Sequence, residues 1–262
     1  MKLMVNLSEK EKIRYGRQFL IPEIGEEGQK KLKAASVLVV GTGGLGSIIT
    51  YYLTAAGIGT LGLMDMDVLD LSNLQRQIVH NTDNIGMPKT KSAQITLEKL
   101  NPNVNFKLIQ EALNPDNALS IFKDFDYIID GTDNFFAKFI INDACIVAKK
   151  PFSLGGVRAL EGQFMTVIPK ETTCYRCVFK EPAPRSKTPL PVLGVTPGIG
   201  GLIETTECIK FLVGLKDKLL TNTLLLFDLK SMNFDKVTII RDENCPACGK
   251  NAKNLLELEK YE

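Results

Sequence analysis

The sequence predicts an α/β fold: a doubly wound, mostly parallel sheet, extended by antiparallel strands and preceded by an N-terminal helical segment. Three observations carry the prediction. Short apolar runs alternate with longer helical patterns over residues 35–150. The run VLVVGTGGLGS (37–47) reads as a buried strand breaking into a glycine turn that opens a helix, the Rossmann-like signature of a βαβ unit. After Pro151 the pattern changes to paired short strands, which read as hairpins.

In chain order, residues 8–34 read as helical and polar, with Ser8 and Glu11 at capping-box spacing. Residues 37–41 form a strand and 45–57 a helix stopped by Gly57. TLGLMDMD (60–67) is a second strand ending in acids. Residues 88–100 make an amphipathic helix with Ala93, Leu97 and Leu100 on one face, and 104–109 a strand. DYIID (126–130) is a short buried strand, followed by a long helix over 134–150. Residues 152–169 form a hairpin turning near RALEGQ, and five prolines make 181–198 an irregular loop. Residues 199–214 are helical; 223–229 and 234–241 form a second hairpin.

A chain of 262 residues with 44% hydrophobic content can bury one sizeable core. Its net charge of +2, with no long basic block, gives no reason to expect nucleic acid as a partner. No apolar run approaches the roughly 20 residues that cross a bilayer, so no membrane partner is expected. The first 18 residues lack the apolar core of a signal peptide, and a cytoplasmic location is expected. A single histidine, His80, argues against Ser-His-Asp catalysis and against a multi-histidine metal site.

The turn GTGGLG contains Gly41, Gly43, Gly44 and Gly46. Gly43 and Gly44 let backbone approach an anion at the N-terminus of the following helix, where free N–H groups and the dipole favour phosphate. Asp65 stands 19 residues beyond Gly46, at the end of the next strand, where an acid bonds ribose hydroxyls. The turn alone does not separate NAD from ATP. In LSNLQRQIVH (71–80), Asn73, Arg76 and Gln77 share one face of a helical turn, with Asp67 and Ser72 beside them. Lys89 and Lys91 fall in the first turn of the helix after Pro88. Arg76 with Lys89 suits a triphosphate better than a diphosphate; the plainer alternative is two solvated basic residues. In DGTDN (130–134), Asp133 either holds Mg²⁺ on the phosphates or caps the next helix.

Two C-x-x-C pairs, Cys174/Cys177 and Cys245/Cys248, have 67 residues between them. With no export signal they favour a metal over disulfides, and four thiolates make a closed, structural four-cysteine site for Zn²⁺. A redox dithiol is the alternative. Cys145 and Cys208 lie among apolar helix neighbours and read as core.

RYGRQFLIPEIGEEGQKKL, GTGGLGS, DMDVLDLSNLQRQIVH, GMPKTKSA, GTDN, CYRC and CPACG occur in that order. Together they resemble the ubiquitin-activating-enzyme-like superfamily of adenylyltransferases, in its MoeB, ThiF and HesA branch, from about Arg14 to Gly249. The resemblance implies a single adenylation domain over 1–262, with N-terminal helices (1–34), a nucleotide-binding half (35–150), a carrier-binding half with the zinc site (151–250) and a tail (251–262). It implies that the C-terminal carboxylate of a small ubiquitin-like (β-grasp) sulfur-carrier protein ending in Gly-Gly attacks the α-phosphate of Mg-ATP. An acyl-adenylate and pyrophosphate result, and a separate sulfur donor such as a cysteine desulfurase or rhodanese later gives the thiocarboxylate, in a molybdopterin or thiamine type of pathway.

By the same resemblance Gly44 approaches the phosphates and Asp65 the ribose. Asn73, Arg76 and Lys89 hold the triphosphate with Gln77 beside them, Asp133 binds Mg²⁺ and Asn134 lies near the adenylate. Arg17 reaches across a homodimer into the partner's site. Many members carry a further cysteine in the loop before the late helix. Residues 178–207 contain none, with Lys187 and Thr188 in that region, so adenylation without a thioester step is expected. Adenylation of a peptide or small-molecule carboxylate is the alternative. An NAD-dependent dehydrogenase leaves Arg76 and Lys89 unexplained, and a non-catalytic ATP-binding scaffold leaves Asp133 unexplained as well.

Overall fold

The computed structural model describes residues 5–181, 190–257 and 261. Lys187 and Thr188 lie outside the described residues.

Two helices open the chain, α1 (Glu9–Phe19) and α2 (Gly25–Ala34). The expected capping box is present: the Ser8 hydroxyl accepts from the Glu11 amide, and the Glu11 carboxylate accepts from the Ser8 amide. The helical stretch breaks at 20–24, where Pro22 cannot continue a helix. Then follow β1 (Ser36–Val40), α3 (Gly44–Ala56), β2 (Thr60–Met64), α4 (Lys89–Leu100), β3 (Asn105–Ile109), α5 (Pro115–Phe122), β4 (Tyr127–Asp130) and α6 (Phe135–Ala148). The second half contains β5 (Phe152–Arg158), β6 (Glu161–Val167), a short α7 (Tyr175–Val178), α8 (Val195–Val213), β7 (Thr223–Asp228) and β8 (Asn233–Thr238).

The strands form one eight-stranded sheet in the order β3-β2-β1-β4-β5-β6-β7-β8. The first five are parallel and the last three antiparallel, as the change of pattern after Pro151 predicts. Each face carries a core. Leu45, Ile49 and Leu53 of α3, Ala93 and Leu97 of α4, and Cys208 and Val213 of α8 pack on one face. Phe122 of α5, with Phe139, Ile141 and Cys145 of α6, packs on the other. Cys145 and Cys208 are fully buried, and burial pushes both thiols well up, so they are inert packing groups.

Besides the break at 20–24 and the short α7, two helices differ from expectation. Helix α5 is absent from the sequence reading, because eight residues are too short to display a period. It is set by its ends: the Asn114 side chain accepts from the Asp116 and Asn117 amides, and Pro115 starts the first turn. Helix α8 begins at Val195 rather than 199, because Pro197 falls within its first turn, where a missing N–H costs nothing.

The join of β1 to α3 sets the position of the site. Gly41 adopts φ +93°, and a Cβ on Gly46 would lie 2.0 Å from the Gly41 carbonyl oxygen. Both contact atoms are backbone and cannot give way. Gly46→Ala is therefore expected to cost about 3 kcal/mol or more in urea unfolding; a loss below about 0.5 kcal/mol would contradict the close approach.

Candidate active site

Strand order reverses at β1, so the C-terminal ends of β1 and β4 flank a crevice, the usual ligand position in such sheets. The glycine turn after β1 and the loop DGTDN after β4 meet there: a Cβ on Gly41 would lie 2.8 Å from the Gly131 carbonyl oxygen. The four glycines of the turn divide their tasks. Gly41 and Gly46 serve backbone packing. A Cβ on Gly43 would meet nothing nearer than the Gln77 Nε2 at 3.6 Å, whereas one on Gly44 would press on the Pro197 ring of α8 at 3.0 Å and lie 3.6 Å from the Arg76 stem. Gly43 caps α3 without a side-chain acceptor, so the first amides of the helix open on the crevice.

Asp65 stands just past β2 and is partly buried. Its Oδ2 accepts from the Thr42 amide at 2.9 Å and hydroxyl at 3.0 Å, and its Oδ1 accepts from the Asp67 amide at 2.9 Å. The acid expected at the ribose thus also pins the glycine turn. Asp67 pairs with Lys89 at 2.7 Å, and Lys89 is only 6% exposed. Lys89 is therefore no solvated surface lysine: its stem is buried and its ammonium emerges beside Asp67 at the N-terminus of α4. The Asp67 carboxylate offsets the unfavourable position of a cation at that terminus. Lys91 sits on the exposed side and bonds Gln94.

Residues 71–77 form a short 3₁₀ turn and further turns rather than a regular helix. Asp70 caps it, accepting from the Ser72 amide and hydroxyl, while Asn73 Oδ1 accepts from the Asp70 amide. Arg76 donates to the Ser72 carbonyl at 3.1 Å and remains partly exposed. Gln77 is buried, and its carbonyl oxygen has no partner among the described residues.

The loop after β4 assigns the cap of α6 to Asn134 rather than Asp133: the Asn134 side chain accepts from the Ala137 amide at 2.8 Å. Asp133 is exposed and free of side-chain partners among the described residues. A single free carboxylate at this rim of the sheet fits the donor chemistry of Mg²⁺, which binds through one or two carboxylates and keeps its waters.

Arg17 is not brought to this site within one chain. It is exposed on α1. Neighbouring Tyr15 packs against Gly57, at the far end of α3, about 20 Å along that helix from the glycine turn.

Two buried groups went unread in the sequence. Lys138, a lone cation in the apolar helix α6, pairs with Asp130 at 2.7 Å and also donates to the Thr132 and Gly155 carbonyls. Asp130 Oδ1 takes the Thr132 amide and hydroxyl. This pair fixes the root of the Asp133 loop, and a lysine amid aromatic and aliphatic neighbours was its visible signal. Glu204 of α8 is 1% exposed, and neither carboxylate oxygen has a partner among the described residues. Burial, reinforced by the Asp130 charge and opposed by Lys138, holds its carboxyl well above the usual range. The raised value means that stability is full below about pH 4.5 and is lost as pH rises, because the unfolded chain releases the proton first. Glu204→Gln is expected to stabilise the fold at pH 7 by up to about 3 kcal/mol, with the gain vanishing near pH 4. Equal stability of both forms across that range would contradict it.

The four cysteines come together away from the crevice. Their Sγ atoms all lie within 4.8 Å of one another, with Cys174–Cys245 at 3.6 Å and Cys177–Cys248 at 3.5 Å. A tetrahedral zinc with bonds of about 2.3 Å sets sulfurs about 3.8 Å apart, so the set fits a closed four-thiolate centre. Hydrogen bonding among the sulfurs drives Cys177 down and Cys174 up, and pulls Cys245 to about 6. The knuckle is keyed to α6 as well as to the hairpins. Arg176, inside the first C-x-x-C, forms a two-pronged pair with Asp143 at 2.8–3.0 Å and lies 4.7 Å above the Phe139 ring.

Residues 15–247 match the model of the ThiF family. The chain belongs to the ThiF family. It is 39% identical over 258 residues to a sulfur carrier protein adenylyltransferase of Thermus thermophilus, covering 95% of this chain and 94% of that protein. It is 39% identical over 264 residues to a probable adenylyltransferase/sulfurtransferase, MoeZ, of Mycobacterium tuberculosis, covering 98% of this chain. The chain spans 65% of that longer protein. Among solved structures, that of E. coli MccB superposes with a TM-score of 0.84 at 22% identity, covering 95% of this chain and 75% of that one. At that identity the likeness is one of fold. The resemblance drawn from the ordered motifs is thus borne out at family level.

Proposed function

We propose that this ThiF-family chain is a nucleotidyltransferase that adenylates the C-terminal Gly-Gly carboxylate of a small ubiquitin-like sulfur-carrier protein. The observation that carries this reading is that the uncapped α3 terminus, the Arg76 stem and the loop bearing Asp133 meet at one crevice, with Lys89 held by Asp67 past the neighbouring strand. The relative from Thermus thermophilus, matched over nearly its whole length, supports the choice of acceptor.

A carboxylate oxygen of the carrier attacks the α-phosphorus of ATP. The bond from that phosphorus to the bridging oxygen breaks, pyrophosphate leaves with the electron pair, and the acyl-adenylate remains. Such transfer depends on positioning and charge neutralisation rather than on covalent help from the protein. In this reading Gly43, Gly44 and the α3 amides cradle phosphate, and Asp65 takes the ribose. Arg76, Lys89 and Asn73 hold the triphosphate, with Ser72, Asp67 and Gln77 shaping the wall. Lys89 exchanges part of its pairing with Asp67 for phosphate oxygens. Asp133 would hold Mg²⁺, which neutralises phosphate charge when bound, and Asn134 keeps its amide group free beside the adenylate. A dehydrogenase reading leaves Arg76 and Lys89 unexplained.

Zinc in the four-cysteine centre has a structural role, and residues 151–250 form the carrier-binding half beside the nucleotide-binding half at 35–150. Arg17 completes the site of a second copy in a homodimer, which its distance from its own crevice supports. Tyr52, Val195 and Leu202, exposed on α3 and α8, are available for such a contact. A separate sulfur donor, a cysteine desulfurase or rhodanese, converts the adenylate. Among the described residues no helix is long and apolar enough to cross a membrane, and a cytoplasmic location accompanies the reading.

The test is the mass of a Gly-Gly carrier incubated with the chain, ATP and Mg²⁺. Gain of one adenylyl group, discharged by hydroxylamine as a hydroxamate, is expected. An unmodified carrier alongside an adenylated peptide or small acid would overturn the choice of acceptor.

A further inference from the structure

The one histidine of the chain is buried, at 6% exposure, and both ring nitrogens are engaged. His80 Nε2 lies 3.1 Å from the Thr42 carbonyl oxygen, and Nδ1 lies 2.9 Å from the Ser92 hydroxyl. A carbonyl oxygen only accepts, so Nε2 carries the proton. In the neutral ring, which burial favours, Nδ1 is then an acceptor, and Ser92 donates to it. The Ser92 oxygen in turn accepts from the Asn84 amide group at 3.0 Å. The chain of donors runs one way, Asn84 to Ser92 to His80 to Thr42, and every link has the required polarity.

Its end point is the peptide between Thr42 and Gly43. In a trans peptide the carbonyl and the N–H point in opposite directions. With the Thr42 carbonyl tied to His80, the Gly43 N–H is turned away from the histidine. That N–H has no partner among the described residues. The Thr42 amide and hydroxyl are fixed by Asp65 on the other side. Ser92 stands one turn beyond Lys89 on α4, so the same chain ties the start of that helix to the glycine turn.

We infer that neutral His80 is a positioning residue for nucleotide capture, a strut that orients the Thr42–Gly43 peptide so that the Gly43 N–H meets phosphate and the start of α4 stays tied to the glycine turn. This rests on the reading of the crevice as an ATP site. The charged groups nearest the imidazole are Lys89, with its partner Asp67, and Asp65. Burial lowers the His80 pKa and the Lys89 charge lowers it further, against the Thr42 bond and Asp65, which raise it. The neutral form therefore persists below the ordinary 6.5. Stability from this group is full above that value and is lost as pH falls through the lowered one, because the unfolded chain takes the proton first.

A single imidazole makes the test direct. In ¹⁵N-histidine-labelled protein at pH 7, a protonated Nε2 and an unprotonated Nδ1 are expected; the opposite tautomer, or a cation, would overturn the inference. Steady-state kinetics supply the second arm. His80→Phe leaves the carbonyl unpaired and should raise KM for ATP about tenfold, with kcat and KM for the carrier within about threefold. His80→Gln, whose amide can donate to the same carbonyl, should restore KM for ATP to within about threefold of wild type. A His80→Phe protein that loses only thermal stability, with KM for ATP unchanged, would show a plain core histidine and overturn the positioning role. A wild-type chain with the expected tautomer that binds no Mg-ATP would instead overturn the functional reading, and the capture role with it.

Discussion

Asp133→Ala is expected to lower carrier-dependent ATP–pyrophosphate exchange by about 10²–10³-fold while leaving the fold intact. The side chain is exposed and unpaired among the described residues, so folding stability should change by no more than about 0.5 kcal/mol. The helix that follows depends on its neighbour: Asn134 supplies the cap. Asn134→Ala should therefore cost about 1 kcal/mol of stability, and the pair of variants separates chemistry from capping at adjacent positions. The loop is held independently of both, through Asp130, Lys138 and Thr132. Loss of exchange in Asp133→Ala thus reports the missing carboxylate rather than a collapsed loop. Wild-type exchange in this variant, measured with Mg²⁺ saturating, would remove Asp133 from the chemistry.

Removing the metal is the second large effect. A structural zinc held by protein ligands contributes on the order of 10 kcal/mol to the folding of small zinc-finger peptides, and a larger core softens the loss here. The four sulfurs lie within the core that contains Phe139 and Tyr175. Elemental analysis of purified protein should find one zinc per chain. Cys174→Ser or Cys248→Ser should abolish stoichiometric zinc and lower stability by several kcal/mol, and a strong chelator should have the same effect on the wild type. Arg176 and Asp143 remain paired in these variants, so loosening should begin in the segments that carry the cysteines. Metal-free protein of undiminished stability would contradict a structural centre.

How much of this was legible in the sequence follows from the range of the interactions involved. The parallel half announces itself through local signals: apolar strands, the glycine turn and helix caps, each contained in a few residues. The crevice was legible for the same reason, since Gly43, Asp65 and Asp133 stand just after a strand, where the topology gathers them, and Arg76 lies in the connection from β2 to α4. Long-range pairs were not legible. Nothing local says that Asp67 meets Lys89, that Lys138 reaches the Gly155 carbonyl, or that His80 ends on Thr42. His80 carries no local signal of its role: a single histidine excludes a multi-histidine metal site, yet one histidine suffices to orient a peptide. Glu204 carries no local signal; only the packing of α8 against the sheet takes it out of water. Helix α5 escaped because its length hides its period, although its cap, Asn114 before Pro115, was in plain view.

The central claim is that the crevice activates a carrier carboxylate through ATP. ATP–pyrophosphate exchange by the purified chain with Mg²⁺ tests it most directly, run with a carrier ending in Gly-Gly and with the same carrier lacking those two residues. Exchange with the intact carrier and none with the shortened one is the result expected. Exchange that proceeds equally with either, or with no carrier, would contradict the claim.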